Sequence, residues 1–205
     1  GGNYTAANTT YFDGYYVKAY AKYANYNYGY YGETGGDAKV YNSHFYGYYG
    51  EGYGQYCYGV YNESSRWEAH QSYGYAHNCG NENAGLYNKY GRSTIYGGSY
   101  DAYIEQARLG GNTQACFGIY GSGNNGNQSW VVSHDVKGRA ENCYLNYGLY
   151  NADGGYAESY GGIYAAKGGV QTYGITNGGA NTVHKGERGS AWGEGGSTGN
   201  YGYYN

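Results

Sequence analysis

One four-residue word recurs along the whole chain: an aromatic residue, glycine, a bulky apolar residue and tyrosine. Clear copies occupy residues 58–61, 117–120 and 147–150, and degenerate copies bring the total to 14 between residues 13 and 204. The 188 residues from Gly14 to Gly202 divide into 13 intervals of 11 to 18 residues. Because the third position is Val, Leu, Ile or Tyr in almost every copy, the few aliphatic residues concentrate in this word. Such a spacing predicts a short β-strand at each copy.

Side chains of an extended strand alternate between two faces, so the first and third positions of the word share one face. We expect them to fill the interior, while the glycine of the second position leaves bare backbone beneath a neighbouring tyrosine ring. A helix is a poor alternative, since each glycine costs about 1 kcal/mol relative to alanine and tyrosine favours strands. Clusters of Asn, Gly and Ser between the words, such as residues 121–127, supply turns.

The spacing of the words predicts an all-β fold, a short-coil β-solenoid of about 14 Gly/Tyr repeats. With one word per coil at about 4.8 Å, the rod would be roughly 65 Å long. Residues 57–61 are echoed by residues 116–120, which indicates duplication of a block of about 60 residues. An antiparallel array of three such units is the alternative fold. We expect residues 1–10 to be an N-terminal extension and residues 11–205 a single repeat domain.

The tyrosines at the fourth position of the word are predicted to stack along the solenoid axis. Offset ring contacts of this kind contribute about 0.5–1.5 kcal/mol each. The predicted aromatic ladder consists of Tyr16, Tyr31, Tyr49, Tyr61, Tyr87, Tyr120, Tyr150, Tyr164 and Tyr204.

Composition first raises the possibility of disorder, because Leu, Ile, Val and Phe together make up only 20 of 205 residues. The 36 tyrosines and the low charged fraction of 13% oppose it, since aromatic rings bury large areas and disordered chains lack them. A net charge of −3 without a basic cluster argues against nucleic-acid binding. No apolar run is long enough to predict a membrane-spanning helix.

Four cysteines occur, at positions 57, 79, 116 and 143. With one word per coil, Cys57 and Cys116 would share a column about 19 Å apart, beyond the roughly 7 Å limit for the Cα atoms of a disulfide. The predicted disulfides are therefore Cys57–Cys79 and Cys116–Cys143, and free thiols are the alternative. Paired cysteines together with Asn-x-Ser/Thr sites indicate a secreted or cell-surface protein. The predicted glycosylation sites are Asn3, Asn8, Asn62 and Asn127.

The sequence predicts no catalytic site, metal site or cofactor. The five histidines are scattered and lack a fixed spacing to a cysteine pair. Ser133, His134 and Asp135 are the residue types of a hydrolytic triad, but neighbouring strand residues point to opposite faces and cannot converge on one substrate. We therefore expect that the protein is not an enzyme.

The words at residues 58–61, 117–123 and 147–151 resemble the YGVYG-type repeats of bacterial and phage surface or fibre proteins. The resemblance implies an extended, β-rich structural role and brings no active site with it.

These features favour a secreted structural protein, the subunit of an extracellular filament or surface layer. The terminal words look like ordinary rungs without caps, so we expect copies to assemble end to end through β edges into a homopolymer bearing covalent glycans. One alternative is a binding module that presents the aromatic ladder to a glycan or to ice. Another is an adhesive that is cross-linked through oxidised tyrosines.

Overall fold

The computed structural model describes residues 3–5, 11–48, 55–105, 114–124 and 128–205 of the chain. These residues contain no helix and form twenty strands. The strands are β1 (Asn3–Thr5), β2 (Tyr11–Tyr15), β3 (Lys18–Lys22), β4 (Tyr26–Gly32), β5 (Asp37–Tyr41), β6 (His44–Tyr48), β7 (Tyr56–Glu63), β8 (Arg66–His77), β9 (Glu82–Lys89), β10 (Arg92–Tyr103), β11 (Ala115–Ser122), β12 (Trp130–His134), β13 (Lys137–Glu141), β14 (Leu145–Ala152), β15 (Tyr156–Tyr160), β16 (Ile163–Lys167), β17 (Gln171–Gly178), β18 (Val183–Glu187), β19 (Ser190–Glu194) and β20 (Gly199–Tyr204).

The strands form two sheets that enclose the core between them. Sheet A has eight strands in the order β1-β4-β7-β9-β11-β14-β17-β20. Sheet B contains the strands that lie between these in sequence, in seven layers: β2 with β3, β5 with β6, β8, β10, β12 with β13, β15 with β16, and β18 with β19. The chain passes from sheet A to sheet B and back once per coil. The prediction of a β-solenoid is thereby confirmed. The antiparallel alternative is wrong, because every described strand pair is parallel.

Each coil is about twice as long as the sequence predicted, because successive words alternate between the two sheets. The words at residues 28–31, 58–61 and 84–87 lie in sheet A, whereas residues 46–48 and 73–76, which belong to two further words, fall between them in sheet B. Neighbouring strands of sheet A bring together residues that are 26 to 33 positions apart. Fourteen words therefore make about seven coils, or about 35 Å of stacked strands.

Part of the expected N-terminal extension belongs to the solenoid. Strand β1, within residues 1–10, pairs with β4 through Asn3 and Tyr30.

Sheet B bends within each coil at a residue of positive φ, which is followed by a second such residue, Gly98 or Gly162, in two of the coils. The bend separates the strand that follows sheet A from the strand that returns to it. Left-handed backbone disfavours most side chains, and Asn, Asp and Gly tolerate it best. The bend residues are Tyr16 (φ 56°), Asn42 (φ 48°), Gln71 (φ 47°), Gly97 (φ 66°), Asp135 (φ 54°), Gly161 (φ 69°) and Arg188 (φ 55°).

The recurrent glycines of sheet A form one file along the axis, and they point into the solenoid. A Cβ atom added to Gly85 would lie 2.5 Å from the backbone nitrogen of Asp101 in sheet B and 2.8 Å from the carbonyl oxygen of Gly118 in the next coil. A Cβ on Gly29 would meet the backbone nitrogen of Tyr46 at 2.5 Å. The two sheets touch backbone to backbone along this file, so only glycine fits.

This arrangement corrects the expected assignment of the two faces. The alternation of side chains is interrupted at the glycine, so the glycine and the third residue of the word both face the interior. The first and fourth residues both face outward, where their rings meet. Ring centroids of Tyr28 and Tyr31 are 5.0 Å apart, and those of Tyr58 and Tyr61 are also 5.0 Å apart.

The glycine file divides the interior into two packed regions. On one side, third-position residues such as Leu86 and Ile119 pack against Trp67 and Ile95 of sheet B. On the other side, a second buried cluster consists mainly of small and sulfur-containing residues: Cys57, Ala76, Cys79, Ala102, Ile104, Cys116, Ala140 and Cys143.

A period of two coils explains the repeat of about 60 residues. One inward column of sheet B alternates small and large side chains from coil to coil. A Cβ on Gly74 would lie 2.8 Å from Cδ1 of Tyr100, and one on Gly138 would lie 3.1 Å from Cδ1 of Tyr164. Each large ring therefore covers the glycine of the coil beside it. The column reads Ala19, Phe45, Gly74, Tyr100, Gly138, Tyr164, Ala191.

Candidate functional surfaces

The outer face of sheet A carries the predicted aromatic ladder in part. Neighbouring ring centroids lie 5.3 Å apart between Tyr31 and Tyr61, and 5.1 Å apart between Tyr61 and Tyr87. The separation is 4.5 Å between Tyr87 and Tyr120 and 5.3 Å between Tyr120 and Tyr150. Strand register places Tyr31, Tyr61, Tyr87, Tyr120, Tyr150 and Tyr204 in one column.

Two of the predicted ladder positions fall elsewhere, and one rung is not a tyrosine. Tyr16 lies at the bend of sheet B, where positive φ turns its side chain away from any column of strands. Tyr164 is fully buried, and its hydroxyl is 2.7 Å from Oγ of Ser133. Thr176 occupies the sheet A column between Tyr150 and Tyr204. Tyr49 lies outside the described residues.

A second column of aromatic rings runs beside the ladder on the outer face of sheet A. This column has one gap, and Glu82 lies next to it. The column consists of the first residues of the words, and Ala84 interrupts it. Beside that gap, the hydroxyl of Tyr58 donates a 2.8 Å hydrogen bond to Oε1 of Glu82. Burial raises the pKa of Glu82, and burial followed by the nearby Glu82 charge raises the pKa of Tyr58. Sequence reasoning missed this carboxyl group, although an alanine in the first position of the word was a signal.

Sheet B presents an uninterrupted stack of aromatic rings that the sequence analysis did not predict. Its members alternate between tyrosine and histidine in the central coils, immediately before the bend residue. Neighbouring ring centroids are 4.7 to 5.0 Å apart, with interplanar angles of 4° to 16°. The stack consists of Tyr15, Tyr41, His70, Tyr96, His134 and Tyr160.

Charged side chains alternate in sign between neighbouring coils. Nine described register pairs join two residues of the Asp, Glu, Lys and Arg types, and eight of them have opposite signs. In one of these, Lys39 Nζ lies 2.7 Å from Glu68 Oε1. The ninth pair joins Arg66 to Arg92. The opposite-sign pairs are Asp13–Lys39, Lys39–Glu68, Asp37–Arg66, Glu63–Lys89, Asp101–Arg139, Glu141–Lys167, Lys167–Glu194 and Glu158–Lys185.

The predicted disulfides are both present. Cys57 pairs with Cys79 and Cys116 with Cys143, with Cα atoms 5.6 and 5.7 Å apart. Cys57 and Cys116 share a column as predicted, but they are separated by two coils rather than four. Paired cysteines are typical of proteins from oxidising compartments.

Asparagine occupies the same column in the coils between the cysteines. Asn83 stands between Cys57 and Cys116 and ties down the corner that precedes its strand. Its side-chain oxygen accepts a 3.0 Å hydrogen bond from the Cys79 amide, and its nitrogen donates a 2.9 Å bond to the Cys79 carbonyl. Asn146 makes the same pair of bonds to Cys143. The amides and the disulfides thus fasten the corners together.

The structure bears on one of the four predicted glycosylation sites. Asn62 is fully buried, and its Nδ2 donates hydrogen bonds to Oδ1 of Asn88 at 2.7 Å and to Oγ of Ser93 at 3.2 Å. A glycan on that nitrogen does not fit the folded chain, so the site at Asn62 is wrong. Asn3 lies in β1, whereas Asn8 and Asn127 lie outside the described residues. Those three sites stay predictions.

The Ser-His-Asp sequence forms no triad in the structure. Ser133 points inward and bonds to Tyr164, whereas the His134 ring belongs to the outer stack of sheet B. Asp135 lies at the bend. Among the described residues, no group of three His, Cys, Asp or Glu side chains could hold a metal ion. Burial lowers the pKa of His77 to about 4, which keeps that ring neutral near pH 7.

Within the described part of the chain, no helix is long and apolar enough to cross a membrane. No family model, curated protein or solved structure matches the chain. The surfaces of the solenoid are therefore the basis for a proposal about function.

Proposed function

We propose that the protein is the subunit of a secreted structural filament or surface layer in which copies of this chain stack end to end. One observation carries the proposal: the first and last layers of sheet B are complementary to each other when the strand register is continued. Two disulfides support an oxidising compartment. Glycans at Asn3, Asn8 and Asn127 belong to the same proposal.

The first complementary column lies in the half of sheet B that precedes the bend. It begins with Asp13, Lys39 and Glu68 and ends with Glu158 and Lys185. If strand β2 of a second copy follows β18 in register, Lys185 stands beside Asp13 of that copy. The alternation of sign then continues across the junction, as it does between coils of one chain.

The second complementary column lies beyond the bend. Glu141, Lys167 and Glu194 end this column, and Lys22 begins it. Continuing the register from β19 to β3 of the second copy places Glu194 beside Lys22. The alternation of sign therefore continues in both halves of the sheet, which fixes the direction and the register of stacking.

Apolar side chains of the same two layers also match. Trp192 is 42% exposed and Tyr20 is 46% exposed, and the continued register places one ring over the other. Ala191 meets Ala19 in the same strand pair. Among the described residues, the large exposed rings are concentrated in the first and last coils, and Tyr96 is the one that lies in a central coil. Stacking would bury Trp192 against Tyr20, and burial of apolar area favours association.

Sheet A continues across the junction if β20 of one copy pairs with β4 of the second copy. It then takes the place that β1 of the second copy occupies in the single chain. Strand β1 pairs only with Tyr30, Tyr31 and Gly32. Strand β20 has six residues, and its word at residues 201–204 is identical to the word at residues 28–31 of β4. The exchange therefore adds backbone hydrogen bonds and repeats the side-chain contacts that the coils make with one another.

Charge reversal at the junction tests the proposal. Lys22→Glu and Glu194→Lys each place like charges together, and we expect each to raise the critical concentration for assembly about tenfold, equivalent to about 1.4 kcal/mol. The double variant restores the opposite-sign pair at the junction and should assemble at a lower concentration than either single variant. It does not restore the pairing of Glu194 with Lys167 of the same chain. Lys137→Glu is the matched control, because its register neighbours Ser99 and Ile163 carry no charge.

Sedimentation velocity and negative-stain microscopy measure assembly in the wild type and the four variants. Wild-type chains that stay monomeric at every concentration contradict the proposal, and so does a double variant no better than the single ones. Strand exchange is tested by deletion. Removal of residues 199–205 should block assembly, and removal of residues 1–5 should promote it by freeing the edge of β4.

A further inference from the structure

Arg66 and Arg92 form the one described register pair in which two like charges adjoin. They begin strands β8 and β10, so their backbones are about 4.8 Å apart. Like charges directly opposite each other destabilise a sheet. Asp37 precedes Arg66 in the column, but none of the described ion pairs includes either arginine. Both side chains are exposed. The pair therefore keeps two guanidinium groups available at the surface.

The arginine pair lines an open groove where the coils pass from sheet A to sheet B. The groove has a volume of about 610 Å³. Its floor is corner backbone, held in left-handed conformation at Gly35, Ser64 and Tyr90. Because these corner residues stack coil upon coil, the groove runs along the solenoid axis. An open, axial groove suits a segment of a polymer better than an enclosed small molecule.

Aromatic rings flank the arginines within the same column. The Arg92 guanidinium lies over the Trp130 ring, 5.8 Å from its centroid. Tyr11 begins the column, before Asp37. Tyr11 and Trp130 are four coils apart, about 19 Å. Tyrosine and tryptophan rings, which have an apolar face and a polar edge, are common at binding interfaces. Arginine binds a carboxylate, or two oxygens of a tetrahedral sulfate group, with two parallel hydrogen bonds.

We propose that this groove binds an acidic polysaccharide. A sugar carboxylate or sulfate sits between Arg66 and Arg92 and neutralises their repulsion. The faces of neighbouring sugars pack on Trp130 and Tyr11. The site lies on the flank of the solenoid and does not depend on end-to-end assembly, so a monomer binds as a filament does. It also lies on a different sheet from the aromatic ladder.

Affinity for charged and neutral polysaccharides tests this site. The 205-residue chain is titrated calorimetrically with polygalacturonate, chondroitin sulfate and neutral dextran. We expect the Arg66→Gln/Arg92→Gln variant to bind the preferred acidic polymer at least tenfold more weakly than the wild type. The Lys137→Gln/Lys167→Gln variant is the matched control, since it loses the same charge from the same sheet outside the groove. Its affinity should change less than twofold.

Three outcomes overturn the proposal: no binding of either acidic polymer, equal binding of dextran, or equal losses in the two double variants. Equal losses in the two double variants would mean that binding depends on net charge alone and not on the arginine pair. Thermal unfolding separates lost binding from lost folding. Without polysaccharide, Arg66→Gln/Arg92→Gln should melt no lower than the wild type, because it relieves a repulsion. With polysaccharide, its melting temperature should no longer rise. The Arg66→Lys/Arg92→Lys variant keeps the charge and should bind more weakly than the wild type, because lysine cannot form the paired hydrogen bonds.

Discussion

The file of inward-facing glycines makes Gly85→Ala the most direct test of how the two sheets are packed. The new Cβ would lie 2.5 Å from the Asp101 nitrogen and the Tyr100 carbonyl carbon, and 2.8 Å from the Gly118 oxygen. All three are backbone atoms and cannot rotate away, so the sheets must separate locally by close to 1 Å to reach ordinary contact. Overpacking of this kind costs about 1–3 kcal/mol, and rigid neighbours place it near the upper end. Alanine recovers about 0.4–1 kcal/mol by restricting the unfolded chain.

The expected net loss is therefore about 2 kcal/mol, or a fall in Tm of about 4–8 °C for a chain of this size. Thermal and urea unfolding followed by circular dichroism measures it. Gly178→Ala is the control, because a Cβ there meets only side-chain atoms of Tyr150 and Thr176, at 3.4 Å and beyond, and the residue has no positive φ. If the two variants melt together, the two sheets do not touch at the glycine file.

Three further predictions concern buried polar groups, and urea unfolding checks each of them. Burial lowers the pKa of His77 to about 4, so as pH falls this side chain takes up a proton in the unfolded chain before it does so in the folded one. The free energy of unfolding should therefore decrease by roughly 3 kcal/mol between about pH 6.5 and pH 4. His77→Gln should flatten that decrease. Burial raises the pKa of Glu82, so ionisation of this carboxyl group lowers the stability of the folded chain as pH rises above 4.5. Glu82→Gln should stabilise the protein at pH 7 and not at pH 4. Equal effects at the two pH values would contradict burial of the charge. Asn88 donates hydrogen bonds to the Gly91 carbonyl at 2.8 Å and to Ser129 Oγ at 2.6 Å. Asn88→Ala should therefore lower the free energy of unfolding by about 2–4 kcal/mol. A decrease below about 0.5 kcal/mol would mean that water replaces these bonds.

Local patterns in the sequence were sufficient for the strand class, the solenoid and the disulfides. Tyrosine-rich words separated by turn residues predict short strands whatever lies across the core. The pairing of Cys57 with Cys79 rested on column spacing, and it survived an error of a factor of two because the rejected pair is still separated by two coils.

The length of the coil could not be obtained from a single word, because the same word serves two sheets. The sheet to which a strand belongs depends on the strands that lie beside it along the axis, whereas the sequence shows only which residues follow one another. The degenerate copies held the missing signal: residues 101–103, 130–133 and 190–193 all lie in sheet B. Ala191, the second residue of one of these copies, stands in the inward column that alternates small and large residues, so a copy in sheet B need not keep the glycine.

The orientation of the glycines and of Asn62 depends on contacts across the core, which no short window contains. Gly85 meets sheet B residues 15 and 16 positions away, and Asn62 bonds to Asn88 in the next coil. Both sites look like surface positions in the sequence, because Gly and Asn are typical turn residues. Their burial follows from stacking alone.

The two disulfides limit how far the chain can be stretched when the solenoid is pulled at its ends. Pulling on the ends of a parallel solenoid unwinds it from the outside, because each coil is held mainly by its two neighbours. Cys57–Cys79 and Cys116–Cys143 close loops with sequence separations of 22 and 27 residues, which cannot extend while the bonds are intact. At about 3.4 Å per residue, reduction should lengthen the fully stretched chain by roughly 150 Å. A fibre built from such subunits would be stiffer in oxidising surroundings and more extensible once reduced.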